Sequence, residues 1–381
     1  MVLHTYCASH VSGKGPLTVA AGDPHKLAFR ALDLGAPFAK HSIIKRFGQE
    51  RRYGGLLAQA AEELAPDVVL SANTPLFAQD VISAWATRHN VPFVFWLQDL
   101  VSIAMNGELG RRFGRISSPL QAYLTRLEAR LLRHSAAVFA ISEDFLPRLA
   151  AWNVPDGSVT VIENWAPVDE IPLFRRVNEW AALHGLTETF TFLYAGTLGL
   201  KHDPELLVQL ALAMCHQPAV KVVVVSEGVG AEHCRRRAAE ERLTNLLVLP
   251  FQPYELVAEM LASSDVLVAI LERDAGGFSV PSKVLGYVSA GRPILASVPA
   301  ENLAARVISD SGSGIAVSPG DPQTFLAAAE RLLHDDQLRL ECGARARKYA
   351  ETKFDISTIA NRFESVLAAI PSAGGVDQIP E

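Results

Sequence analysis

Cysteine is scarce in this chain: four in 381 residues, at positions 7, 215, 234 and 342. Their wide scatter leaves no Cys-x-x-Cys and no Cys/His cluster, so a zinc site is not expected and reduced thiols of a cytosolic protein are. No run of about 18 uncharged apolar residues occurs, which argues against a spanning helix. The opening residues 1–7 show neither the basic nor the apolar region of a signal peptide. No Asp-x-Asp is present anywhere. A basic excess is missing as well. The net charge is −6 and no nucleic-acid-binding motif appears, so nucleic acid is not an expected partner.

What is abundant is apolar sequence. Hydrophobic residues make up 49% and charged residues 20% of a chain long enough for two ordinary domains. Short apolar strands alternate with amphipathic helices: 67–71, 92–97, 137–141 and 159–162 read as strands, with helices at 79–88, 120–133 and 143–152. A segment rich in Pro and Trp follows, over 163–177. A second series then has strands at 190–195, 220–225, 246–249, 265–270 and 293–296, with helices between and after them. Strands apolar on both faces, separated by helices, predict parallel α/β sheets. The expected division is a first domain over 1–165, a linker over 166–185 and a second domain over 186–353. A last helix over 354–370 is expected to cross back, ahead of a disordered tail at 371–381. Two doubly wound domains in series would face a cleft, with ligands at the carboxyl ends of the strands.

Charge is uneven along the chain. Residues 1–176 carry 18 Lys and Arg against 16 Asp and Glu; the remainder carries 17 against 25. Around Leu120, Tyr123, Leu124, Leu127 and Leu131 a helical face forms, with Arg126, Arg130 and Arg133 beside it. Such a helix suits the surface of an anionic membrane. It equally suits packing on its own sheet with a solvated basic edge.

The most telling stretch is 277–297, which reads as a loop, a short helix and a buried strand. Pro281 and Ser282 open the helix, Gly291 closes it and Pro293 prevents its resumption. Free N–H groups at a helix start attract anions. Lys283 sits in the first turn, where the helix dipole disfavours a cation unless a phosphate is its partner. An ordinary surface lysine is the competing reading. Upstream, Gly196, Thr197, Gly199 and Lys201 lie in a strand-to-helix turn. Glycines there permit close backbone approach and a lysine can reach a phosphate. Glu227 ends another strand, and the turn of Phe251 and Pro253 could wall a base pocket or merely connect elements. In the first half, Asn73, Gln98 and Asp99 follow strands. A carboxylate there can position a hydroxyl or stabilise developing positive charge, or simply cap a helix. Trp165 fits packing better than binding.

These segments, in this order, resemble the family-four group of retaining glycosyltransferases with the GT-B fold: 196–201, Glu227 to Gly230, 251–253, and Pro-Ser-Lys at 281–283 followed by Tyr287 and Gly-Arg-Pro at 291–293. Residues 71–75 and 95–99 further resemble its bacterial surface-polysaccharide branch. The resemblance spans 1–368 and implies two Rossmann-like domains. It implies a nucleoside-diphosphate sugar, UDP in the first instance, held mainly by the second. Gly196, Thr197 and Lys201 would border the diphosphate, with Ser282 and Lys283 at its other side. Glu227 and Pro253 would lie near the nucleoside, and Asn73, Gln98 and Asp99 would face the acceptor, with Asp99 at the reacting carbon. A polysaccharide or lipid-linked sugar would be the acceptor, at the inner face of the cytoplasmic membrane. No cofactor is implied, and without Asp-x-Asp no metal-bridged diphosphate.

The chain departs from that family twice. The paired glutamates around the helix fall on Phe278 and Gly286, so ribose binding must use backbone or Ser279. Gly286 in mid-helix suggests close approach of a ligand or a neighbouring element, or simple tolerance. The start also reads as a second strand, so the first domain is expected to lack its first strand and helix. That leaves two alternatives to a glycosyltransferase: a non-catalytic nucleotide-sugar-binding or partner subunit, and a sugar-nucleotide epimerase. A glucosyltransferase acting on DNA is a distant third, opposed by the acidity.

Overall fold

The protein is described by a computed structural model covering residues 1–10, 17–37, 43–72, 74–199, 202–273 and 282–371. The chain forms two compact units, one of residues 1–163 with 362–381 and one of residues 164–361.

The first unit contains β1 (Val2–Cys7), β2 (Leu27–Leu32), α1 (Ile43–Leu64), β3 (Val69–Ala72), α2 (Leu76–Arg88), β4 (Phe93–Leu97) and α3 (Val101–Phe113). It continues with α4 (Ser118–His134), β5 (Ala137–Ala140), α5 (Leu146–Ala151) and β6 (Val159–Val161). Strands β3, β4, β5 and β6 form a parallel sheet in that order, while β1 and β2 pair parallel in a separate sheet. β4 and β5 are buried almost throughout, as their unbroken apolar runs require. Between β1 and β3 lies a cavity of about 260 Å³, lined by Leu3 and Thr5, by Tyr53 and Leu57 of α1, and by Leu70 and Ser71. The buried Ser71 Oγ has no hydrogen-bond partner among the described residues.

The second unit opens with α6 (Glu179–Leu183) inside the segment expected to be a plain linker. Asn178 caps it by accepting from the Ala181 N–H at 2.9 Å. Then come β7 (Phe190–Ala195), α7 (Pro204–Ala213), β8 (Val220–Val225), α8 (Val229–Glu240), β9 (Leu246–Leu249), α9 (Val257–Ala262) and β10 (Val266–Ile270). After these come α10 (Ser282–Ser289), β11 (Ile294–Ser297), α11 (Leu303–Ser311), β12 (Gly314–Val317), α12 (Pro322–His334), α13 (Asp336–Lys353) and α14 (Ile356–Ala368). From Arg362 onward α14 belongs to the first unit, where Phe363 packs its ring 5.0 Å from Trp96 and 4.5 Å from Phe139.

Six strands make one parallel sheet in the order β12-β11-β10-β7-β8-β9. Alternate residues feed two cores: Phe192, Val222, Val224, Val266 and Val268 on one face, Leu193, Val223, Val225, Leu267 and Ala269 on the other. That two-sided burial is why these strands carry no polar alternation. Strand β7 has β8 on one side and β10 on the other, so the order reverses there. In open α/β sheets a strand-order reversal of this kind is where ligands bind, beyond the carboxyl ends of the strands. Among the described residues no helix is long and apolar enough to cross a membrane.

Candidate functional site

In the second unit the switch point gathers four of the expected residues. Gly196 follows β7 directly, with φ of +133°. That angle is costly for any residue with a Cβ, which explains glycine here. Lys283, the second residue of α10, lies over it: a Cβ at position 196 would stand 3.4 Å from the lysine Cε and 3.7 Å from Nζ. Ser282 is exposed at the helix start and Thr197 at the turn. The helix and the turn are tied together by Tyr287, whose hydroxyl accepts from the Ala195 N–H at 3.0 Å and lies 3.2 Å from the Ala195 carbonyl.

Lys283 does not point into solvent like an ordinary surface lysine. Its Nζ is 2.5 Å from the Tyr194 hydroxyl and 4.1 Å from the ring centroid. The Tyr194 O–H donates to the Thr197 carbonyl at 2.8 Å. Burial lowers the Lys283 pKa to about 7. The same burial pushes the Tyr194 phenol well above its usual range. An ammonium withdrawn from water, beside a helix start and a glycine with open approach, is an anion site in chemical terms.

Glu227 and Pro253 also come together. The Glu227 carboxylate accepts from the Phe251 N–H at 3.2 Å, which joins the turn after β8 to the turn that holds Pro253. Glu227, Phe251 and Pro253 are exposed, beyond the carboxyl ends of β8 and β9. Trp165 packs against the second unit's core, as its packing reading anticipates. Gly286 is not forced by crowding: a Cβ there would have only the Ile171 Cδ1 nearby, at 4.0 Å. The close approach of a neighbouring element expected from the sequence is therefore not what selects this glycine. Lys201, Ser279 and Pro281 lie outside the described residues.

In the first unit Gln98 and Asp99 occupy the turn from β4 to α3, with Asp99 exposed. Asn73 lies outside the described residues. The start of α3 is held by Glu128 of α4. Its carboxylate accepts from the Val101 N–H at 2.8 Å and the Ser102 N–H at 3.0 Å, satisfying two free donors at the start of α3. Glu128 is fully buried, and burial raises its pKa despite those bonds. The basic face of α4 is mostly spoken for. Arg130 pairs with Asp80 at 2.6 Å and Arg133 bonds the Trp152 carbonyl at 3.1 Å. Leu124, Leu127 and Leu131 are buried, while Leu120, Tyr123 and the preceding Ile116 remain exposed.

Tyr194 and Glu128 are the two residues the sequence reading passed over. Each had a signal. Tyr194 puts a hydroxyl near the end of an otherwise apolar strand, and a buried phenol needs a partner. Glu128 sits among leucines on the buried face of α4, where an acid survives only if hydrogen-bonded.

Comparison with known proteins gives the same picture. Residues 178–349 match the family of group 1 glycosyl transferases, and residues 14–165 match a glycosyl transferase 4-like domain. The probable glycosyltransferase WbjE of Pseudomonas aeruginosa is 25% identical over 173 residues, a match spanning 43% of this chain and 41% of that protein. The crystal structure of Anabaena Alr3699/HepE with UDP and glucose superimposes with a TM-score of 0.70 at 16% identity, over 90% of this chain and 86% of that one. WaaG, a glycosyltransferase involved in lipopolysaccharide biosynthesis, superimposes with a TM-score of 0.65 at 14% identity, over 90% and 87%. The two parallel α/β units thus share the GT-B fold of these structures.

Proposed function

We propose that this chain, a glycosyl transferase 4-like domain followed by a group 1 glycosyl transferase domain, transfers a sugar from a nucleoside-diphosphate donor to an acceptor hydroxyl. The observation that carries the reading is the Lys283 ammonium beside the start of α10 and above Gly196, at the switch point of the second sheet. In the transfer the bond from the anomeric carbon to the diphosphate oxygen breaks, a bond to the acceptor oxygen forms, and the acceptor's hydroxyl proton passes to the departing diphosphate or to water. Negative charge builds on the leaving diphosphate. Preorganised cations and amide dipoles stabilise such charge without reorganisation. Lys283, Ser282, the Gly196–Thr197 turn and Lys201 are assigned to the diphosphate. Glu227, Pro253 and Ser279 are assigned to the nucleoside.

UDP is the preferred nucleotide, because HepE, of the same fold, is described with UDP and with UDP-glucose. Asp99 is assigned to the reacting carbon, and Gln98 and Asn73 to the acceptor. The donor-side groups take the place of a bridging metal, so turnover should survive a chelator. Retention of anomeric configuration and a polysaccharide or lipid-linked acceptor follow from the family resemblance. The exposed Ile116, Leu120 and Tyr123 suit peripheral contact with an anionic membrane at its cytoplasmic face.

The experiment is a panel of UDP- and GDP-sugars in thermal-shift and turnover assays, with NMR of the product anomer. Saturable stabilisation by one donor together with its consumption supports the reading; a panel without any saturable shift refutes it. The cavity between β1 and β3 favours one other reading, a donor-binding protein without turnover. Donor binding with no product on any acceptor would decide for that one. Interconversion of donor sugars without an acceptor would point instead to an epimerase.

A further inference from the structure

The contact between Lys283 and Tyr194 is unusual for a residue expected to meet a phosphate. A lysine held ready for an anion is ordinarily solvated or paired with a carboxylate. Here its Nζ lies against a neutral phenol, 2.5 Å from the hydroxyl and 4.1 Å from the ring centroid. The hydroxyl's own proton is already committed to the Thr197 carbonyl, so the oxygen faces the lysine as an acceptor. The ring face adds the attraction of its quadrupole for a cation. The stem passes over Gly196 within van der Waals reach of where a Cβ would stand, and the φ of +133° keeps that position a glycine. These contacts define a second resting place for the ammonium, distinct from a position on a ligand.

Building on the donor-site reading above, we propose that Tyr194 is a positioning residue. It holds Lys283 in a standby site over Gly196; an arriving diphosphate draws the lysine off the phenol, and the lysine amine takes up a proton from solvent as it moves.

The proton follows from linkage. In the standby site burial lowers the Lys283 pKa to about 7, so much of the lysine is neutral at slightly alkaline pH. Beside a dianionic diphosphate the charged form is favoured and the pKa rises. Binding is then strongest below the free value and weakens as pH rises between the free and bound values. Four other titratable groups surround this ammonium. Tyr287 of α10 and Tyr194 itself both have phenols pushed far up by burial. His202, ahead of α7, has its ring centroid 6.4 Å from that of Tyr194 and its Nδ1 3.2 Å from the Gly199 N–H. Cys234 lies behind Tyr194, fully buried, its thiol pushed up to about 12. Of these, His202 is the one that a control must separate from Lys283.

The test is calorimetric titration of UDP-glucose, or the donor found by the panel, at pH 7.5 in two buffers of different ionisation heat. A nucleotide-sugar diphosphate does not itself titrate near neutrality, so the buffer-dependent heat reports protein protons. The expected uptake is about half a proton or more by linkage. Lys283→Arg, charged at every accessible pH, should bind the donor with no uptake. Tyr194→Phe, which keeps the ring and removes the acceptor oxygen, should show less uptake and a flatter pH dependence of affinity. His202→Gln should retain the wild-type uptake. Donor binding with no buffer dependence in the wild type overturns the standby site and leaves the donor site standing. Uptake that persists in Lys283→Arg assigns the proton elsewhere and also overturns it. Absence of saturable binding by every nucleotide and nucleotide-sugar overturns both. A purely structural Tyr194 would lower the melting temperature in Tyr194→Phe without changing the uptake.

Discussion

The two sheets of this protein are built from similar strands and end up differently. In the second unit six parallel strands are continuous, and Phe192, Leu193, Val222, Val223, Val266 and Leu267 are all fully or almost fully buried. Among the described residues of the first unit, six strands are divided two and four, and Val2 and Leu70 remain 63% and 42% exposed. Both sequences are apolar; what differs is whether a neighbouring strand covers each edge. The second sheet also carries a strand-order reversal in its middle, and that is where the candidate donor site lies. The first has sequential order within its four-stranded part, so no reversal there focuses a ligand.

The largest expected effect tests this contrast through stability. Phe192→Ala removes a ring from the centre of the continuous sheet and should cost about 3–5 kcal/mol. Leu70→Ala, at the uncovered edge of β3, should cost under about 1 kcal/mol, because its side chain gains little burial on folding. Scanning calorimetry that resolves the two units would show a lowered transition for the first variant and an almost unmoved one for the second. Equal losses would mean that the edge of β3 is covered in solution.

Chemistry should divide along the same line. Lys283→Ala removes the cation assigned to the leaving diphosphate, and kcat/KM should fall by about 100- to 1,000-fold. Asp99→Asn, in the first unit, should lower kcat while donor affinity, measured with the nucleotide alone, stays within about twofold. A shared loss of nucleotide affinity would show that the division between donor and acceptor sides is drawn wrongly.

The legible part of the molecule follows from where burial is two-sided. Strands β4, β5, β7, β8 and β10 declare themselves as apolar runs bounded by helices, and the structure places them within a residue or two of the expected positions. Strand β2 went unread because Leu27–Leu32 contains Arg30 and is only half buried, so its pattern is diluted. Helix α1 went unread because its glycines and charged pairs, Arg46 with Glu50 among them, blur the apolar stripe. In the site, Gly196 and Lys283 were legible because a glycine turn and a helix start have local signatures. The grip of Tyr194 on Lys283 was not, since it joins residues 89 positions apart through tertiary packing.

Glu128 gives a smaller effect confined to the first unit. Its folded pKa is raised by burial, so the native state binds the proton more readily than the unfolded chain. Stability from this group is therefore fully present below the unfolded pKa and is lost as pH rises through the folded one. Glu128→Gln keeps one acceptor for the start of α3, loses the other, and should cost about 1–2 kcal/mol. It should also flatten the mildly acidic limb of the first unit's stability profile, leaving the second unit's transition unchanged. A profile as steep in the variant as in the wild type would assign that pH dependence to another carboxylate.

Gly286 offers the smallest effect and the sharpest reading of the donor side. Packing leaves room for a methyl group, with the Ile171 Cδ1 at 4.0 Å as the nearest neighbour. A glycine inside a helix costs up to about 1 kcal/mol against alanine. Gly286→Ala should therefore stabilise the second unit by a few tenths to about 1 kcal/mol. Its effect on donor affinity decides why the glycine is there. Unchanged affinity together with a raised melting temperature would mean that the helix merely tolerates glycine, and that the nucleoside is read by the turns bearing Glu227 and Pro253. A loss of affinity despite the gain in stability would place the ribose against the backbone at 286.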